Sequence, residues 1–147
     1  MKVIILALSM AYSLISCNNK HKEKLEEQIA RKSLLNLGCY AYQKNGDTII
    51  MKIDQVRESV TGTLKISYAE KDVNTGTFKG ALKGDTLLGT YTFNSEGKQS
   101  EREIAFLIKN NQLIEGYGTM KDDGLSFKNK NTLEYSSKMP LSKVVCD

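Results

Sequence analysis

Two charged residues stand where the surrounding alternation calls for apolar ones. Glu115 falls between Leu113 and Tyr117, and Arg102 lies two positions before Ile104 in the run Arg102-Glu103-Ile104-Ala105-Phe106. A carboxylate or guanidinium carried toward an apolar core must be paired or wet, and a carboxylate can also become neutral, because an unpaired buried charge is costly. An Arg102–Glu115 pair, with hydroxyls lent by Tyr40, Tyr42, Tyr91 or Tyr117, forms a polar patch in apolar surroundings. That is the composition of a small-molecule site. Tyr42, Tyr91, Arg102, Glu115 and Tyr117 are therefore the ligand-binding candidates. The competing expectation is that both charges sit at a rim and face water, or form a purely structural pair.

Catalysis has little to stand on. Nucleophilic chemistry wants a base held by a third group, and the single histidine, His21, lies in a polar, charged stretch near the N-terminus. No two acids fall together on one inferred interior face, as a glycosidase-like pair requires. Zinc lacks a CxxC or HxxxH spacing, and no glycine-rich loop precedes a helix to cradle phosphate. Asp122-Asp123-Gly124 lacks the alternating oxygen ligands and closing Glu of a calcium loop, and reads as a turn. A polar loop over Ser95 to Glu101 is a candidate binding loop, although turn chemistry alone explains its Ser and Gly. The expectation is a non-enzyme with no cofactor and no metal.

The elements that position these residues are read from turns. Asn45-Gly46 is a strong hairpin signal, because both residues tolerate the positive φ that a tight hairpin needs. Pairing outward from it sets Tyr42 opposite Ile49, Tyr40 opposite Met51 and Gly38 opposite Ile53. Gly84-Asp85 likewise sets Leu82 opposite Leu87, Gly80 opposite Gly89 and Phe78 opposite Tyr91. Between them Val60, Gly62, Leu64, Ile66 and Tyr68 share a face. A turn at Asn110-Asn111 pairs Ile108 with Leu113, Phe106 with Glu115, Ile104 with Tyr117 and Arg102 with Thr119. Leu125 to Lys128 and Thr132 to Tyr135 are candidates for an eighth strand and a return stretch.

The fold expected is all-β: an antiparallel up-and-down meander of about eight strands. Closing the meander into a barrel removes its exposed edges. Interior glycines at 62, 80 and 89 permit sharp coiling and leave room. The rival is an open sheet packed on an N-terminal helix. In outline the closed form resembles avidin and lipocalin barrels, but the chain has no Trp, whereas avidins place tryptophans around biotin.

At 147 residues the chain suits one domain, placed at residues 37–147. Its formal charge of +4 is concentrated near the N-terminus. From Ser33 onward there are 15 basic and 14 acidic side chains, so the body is near neutral. With no basic run and no cluster of base-stacking aromatics, nucleic acid is not an expected partner.

Met1-Lys2 followed by the apolar run Val3 to Tyr12 has the layout of a secretory signal. It is too short for a spanning helix of about 20 residues. The quartet Leu14-Ile15-Ser16-Cys17 resembles the lipobox of bacterial lipoproteins. That resemblance implies a signal peptide over 1–16, cleavage before Cys17, and acyl chains such as palmitate on Cys17, which becomes the new N-terminus. The rival is an ordinary signal with an incidental cysteine. Asn18, rather than Asp, after the cysteine implies the outer rather than the inner membrane by similarity to known sorting rules. Residues 17–36 then form a polar, partly helical tether.

With Cys17 set aside, Cys39 and Cys146 remain, an even pair in a disulfide-permissive compartment. One lies in the first strand and the other next to the last residue, and a closing barrel makes first and last strands neighbours. A disulfide is expected, against two separate buried thiols. The run Gly84-Asp85-Thr86-Leu87, then YTF at 91–93, SEG at 95–97 and REIAF at 102–106 resembles small β-barrel envelope lipoproteins of Gram-negative bacteria, a group with no assigned activity. The resemblance implies a lipid-anchored location in the cell envelope. The partners expected are the membrane, through the lipid, and either a small apolar or amphipathic ligand inside the barrel or an envelope protein or glycan at its loops. A packed, ligand-free structural lipoprotein is the alternative, with a hydrolase behind it.

Replacing Cys17 by Ser tests the anchor. In its host the variant is expected to take up no radiolabelled palmitate and to keep the mass of residues 1–16; palmitate labelling equal to wild type rejects Cys17 as the acylation site.

Overall fold

Asn45 and Gly46 both carry positive φ, 56° and 85°. They turn β1 (Gly38–Lys44) into β2 (Asp47–Val56) in the register expected, with Tyr42 opposite Ile49 and Tyr40 opposite Met51. In the computed structural model, which describes residues 15–95 and 97–146, the meander continues through β3 (Val60–Ser67), β4 (Asn74–Lys83), β5 (Thr86–Ser95), β6 (Lys98–Lys109), β7 (Gln112–Glu115) and β8 (Leu141–Val144). Every neighbouring pair is antiparallel, and β8 pairs with β1, so the sheet closes as an eight-stranded barrel. Most of the expected signal segment, residues 1–14, lies outside the described residues.

Helix α1 (Ile15–Leu34) precedes the barrel, so the segment expected as a partly helical tether is helical over most of its length. Lys24 pairs with Glu58 in the β2–β3 turn at 2.9 Å, with both side chains exposed, and so contributes little stability. The firmer link comes just after the helix. Leu35 is fully buried in the barrel core, the Tyr40 hydroxyl donates to the Asn36 carbonyl oxygen at 3.1 Å, and the Asn36 N–H donates to the Tyr40 hydroxyl at 3.2 Å.

The interior is a continuous cluster of buried side chains to which all eight strands contribute, from Tyr40 in β1 and Met51 in β2 to Leu113 in β7 and Leu141 in β8. The interior glycines serve coiling and leave no room. A Cβ on Gly62 would lie 1.8 Å from the Lys52 carbonyl oxygen and 2.8 Å from the Phe78 ring. Gly80 and Gly89 face each other so closely that a Cβ on either would lie 2.9 Å from the other's Cα. Bare backbone lets the strands cross where any side chain would hold them apart.

The register departs from expectation after Glu115. Ile108 pairs with Leu113 and Phe106 with Glu115, as the Asn110-Asn111 turn requires, and the Gly116 N–H still reaches the Ala105 carbonyl oxygen at 2.8 Å. Tyr117 then pairs with Glu134 instead of Ile104, and Met120 with Phe127; Arg102 and Thr119 are not partners. The cause lies in Gly116 and Gly118, where a Cβ would fall 2.5 Å from Tyr135 and Leu133 atoms respectively. The return stretch packs against this bare backbone and replaces β6 as partner. Leu125 to Lys128 is accordingly not the eighth strand. Its backbone serves the part of β6 that β7 leaves open: the Glu103 N–H donates to the Leu125 carbonyl oxygen at 2.7 Å, as a strand with an exposed edge requires.

Glu103 holds this arm in place. Its carboxylate accepts the Phe127 N–H at 2.8 Å and pairs with Lys130 at 2.6 Å. Burial pushes its pKa up, but the Lys130 and Phe127 hydrogen bonds and nearby lysine charge outweigh that and hold it below the ordinary carboxylate value. The expected loop over Ser95 to Glu101 is also shorter than expected, because Gln99, Ser100 and Glu101 already pair with Asn94, Phe93 and Thr92.

Cys39 and Cys146 form the expected disulfide, with Cα atoms 5.2 Å apart and a separation of 107 positions in sequence. A loop of about 100 residues gives a crosslink worth up to about 4.7 kcal/mol in the chain-entropy model. A Cys39→Ser/Cys146→Ser variant is expected to lose up to that much in denaturant unfolding. Alkylation should add two more adducts to the wild type with reductant than without; equal masses overturn the bridge.

Candidate functional site

Strand direction places the candidate residues at one end of the barrel. β3 runs from its pairing with the end of β2 toward Ser67, so Tyr68 lies at the end opposite α1 and the disulfide. β7 ends there at Glu115, and β4 and β6 begin there, at Asn74 and Lys98, with Arg102 in the first half of β6. The pairing of Asn74 with Ile66, a core residue, puts Asn74 on the interior face.

Arg102 sits on that face opposite Tyr91. Its guanidinium lies over the rings of Tyr91 and Phe93, 5.8 and 5.7 Å from their centroids, and those two rings stack 4.8 Å apart. A guanidinium over aromatic faces is held by cation–π attraction while its N–H groups point elsewhere. The guanidinium makes no hydrogen bond or ion pair with the described residues. The expected direct Arg102–Glu115 pair is therefore not formed, although the two are close enough to influence each other electrostatically.

Glu115 accepts a hydrogen bond from the Tyr117 hydroxyl at 3.2 Å, and that hydroxyl lies an equal distance from the Ser137 Oγ. Burial pushes the Glu115 pKa up, and the Arg102 charge and the Tyr117 hydrogen bond offset this only in part. Tyr68 completes the group. Burial raises its pKa first, and the charge of Glu115 adds to that, so the two are close enough to influence each other. Asn74 contributes the one buried side-chain oxygen among the described residues with no hydrogen-bond partner. Leaving such an acceptor unsatisfied costs about 1–3 kcal/mol, and each such group calls for a physical explanation.

Of the five candidates read from sequence, Arg102, Glu115 and Tyr117 come together here, at the rim that the competing expectation foresaw. Tyr117 is 44% exposed. Tyr91 lies beneath them, fully buried, its hydroxyl donating to the Leu64 carbonyl oxygen at 2.9 Å and its pKa pushed up to about 12 by burial. It supports Arg102 and keeps no free hydroxyl for a ligand. Tyr42 packs against the core from β1. Sequence reasoning missed Tyr68, Asn74 and Ser137. The first two were within reach, since Tyr68 continues the alternation of Ile66 and the pairing of β3 with β4 points Asn74 inward. Ser137 lies in an irregular segment with no periodicity to place it.

The assembly offers donors on Arg102, acceptors on Glu115 and Asn74, and aromatic rings beside them. Among the described residues no group of His, Cys, Asp and Glu is arranged to hold a metal. No protein-family model, curated protein or solved structure matches the chain.

Glu115 gives the site a pH signature. Its folded pKa is raised, so the folded state binds more protons than the unfolded one between the ordinary carboxylate pKa and the folded value. Stability from this group is full below that window and is lost as pH rises through it. Replacing Glu115 by Gln is expected to remove that fall and to leave the protein more stable than wild type at neutral pH. Denaturant titrations from pH 4 to 8 check it; parallel curves for the two proteins contradict it.

Proposed function

We propose that this protein is a lipid-anchored cell-envelope lipoprotein that works as a non-catalytic binding module, recognising its partner at the polar mouth and not inside the barrel. The observation that carries the reading is the contrast between the two regions. The interior is filled by its own side chains, while Arg102 and Asn74 at the mouth keep hydrogen-bonding capacity that the described residues do not use. Ligand sites pair an apolar lining with a few convergent polar groups, and the mouth has both.

The anchored location rests on the lipobox-like quartet before Cys17. The disulfide between Cys39 and Cys146 supports it, since such bridges persist in oxidising compartments. Two or three acyl chains suffice for stable anchoring, at about 0.8 kcal/mol for each buried CH₂. The tether and the mouth lie at opposite ends of the barrel, so anchoring leaves the mouth directed away from the membrane.

The packed interior also favours a second reading, a structural lipoprotein with no ligand at all. Native mass spectrometry of the full acylated protein, isolated in detergent from its own host, separates the interior from the surface. The expected result is the mass of the mature chain plus its acyl groups and nothing retained inside. An apolar molecule released only on unfolding overturns the filled-barrel reading.

A further inference from the structure

The chemistry left over at the mouth narrows what fits there. The unused groups are of both kinds. Arg102 presents N–H donors and no acceptor, Asn74 presents a buried oxygen acceptor with no donor facing it, and Glu115 is an acceptor whose carboxyl is engaged only by Tyr117. A simple anion would satisfy Arg102 but meet Glu115 and the Asn74 oxygen with repulsion. A simple cation would do the reverse. A hydroxyl is donor and acceptor at once, so neighbouring hydroxyls on a ring serve both sides without adding charge.

The apolar parts of the mouth agree with that geometry. Phe93 lies half-buried under Arg102, and the ring of Tyr117 stands exposed beside Glu115. Flat aromatic faces next to planar polar groups suit a ligand that is apolar on one face and hydroxylated at its edge. The body of the protein is close to neutral, 15 basic against 14 acidic side chains from Ser33 onward, so no field gathers an ion of either sign.

We propose that Tyr68, Asn74, Phe93, Arg102, Glu115 and Tyr117 form a binding site for a neutral saccharide unit, such as the ring of an envelope glycan. Arg102 donates to its hydroxyls, Glu115 accepts from one of them, Tyr117 covers its apolar face, and the Asn74 oxygen is reached by a hydroxyl only as the groups over it move aside. The proposal rests on the mouth being the working surface and names its ligand class.

The test uses the full acylated protein in detergent and four probes: an oligomer of N-acetylglucosamine, maltotriose, citrate as an anion, and glycine as a zwitterion. Saturation-transfer NMR and calorimetric titration are expected to show binding of at least one of the two saccharides, with citrate and glycine at least tenfold weaker. Arg102→Met keeps an apolar stem over Tyr91 and Phe93 and is expected to weaken saccharide binding tenfold or more. Tyr117→Leu removes a half-exposed ring and its bonds to Glu115 and Ser137, and guards against a folding defect in the first variant; it should weaken binding at least threefold while keeping the cooperative unfolding and the β-sheet circular dichroism of the wild type. Binding by neither saccharide, preference for citrate or glycine, or equal saccharide affinity in wild type and both variants overturns the proposal. Photo-crosslinking from position 117 in the host separates this failure from that of the reading beneath it. A specific envelope adduct there, with no saccharide binding, defeats the saccharide class alone; neither signal defeats the mouth as a binding surface.

Discussion

The constraint on which the rest depends is that a sheet cannot leave its edge groups unpaired without inviting other strands to dock. Seven strands joined by tight turns still have two edges. Here the gap is closed by β8, whose four residues pair with β1 over Cys39 to Ala41 and with β7 over Gln112 and Leu113. So short a strand supplies few ladder bonds, and two reinforcements make up for it. Leu141 is buried in the common core, and the disulfide ties the chain just beyond β8 to the start of β1.

Closure also decides what the interior can be. Eight strands enclose a space that side chains can fill or a small ligand can share. Tyr40, Tyr91, Phe78 and Met51, all buried, fill it here, and the glycines draw the strands together instead of opening it. The binding proposed for this protein is thereby moved to an end. One end is occupied by Leu35 and the Asn36–Tyr40 hydrogen bonds, and the other carries Arg102 on its aromatic support beside Glu115.

Much of this architecture was legible because turn residues fix register. Asn45-Gly46 and Asn110-Asn111 take positive φ at both positions, and once a turn is placed, the period of two assigns every side chain in the hairpin to a face. That logic found Glu115 opposite Phe106 and Phe78 opposite Tyr91. It failed where pairing is no longer set by a turn. Beyond Glu115 the partner of the chain is chosen by Tyr135 and Leu133 seating on Gly116 and Gly118, a contact between residues about 15 to 19 apart in an irregular stretch, with no periodic signature. Ser137 and the arm held by Glu103 were hidden for the same reason. The disulfide was legible without any such detail, because it follows from closure and from counting cysteines.

The position of that disulfide has a mechanical meaning. Chain entering from α1 meets the barrel at Gly38, and Cys39 follows at once. Tension arriving along the helix therefore reaches a covalent link to β8 before it can peel β1 from its neighbours. Without the link, β1 would be the strand most easily unzipped, one hydrogen bond at a time. With it, the load is shared between the first and last strands.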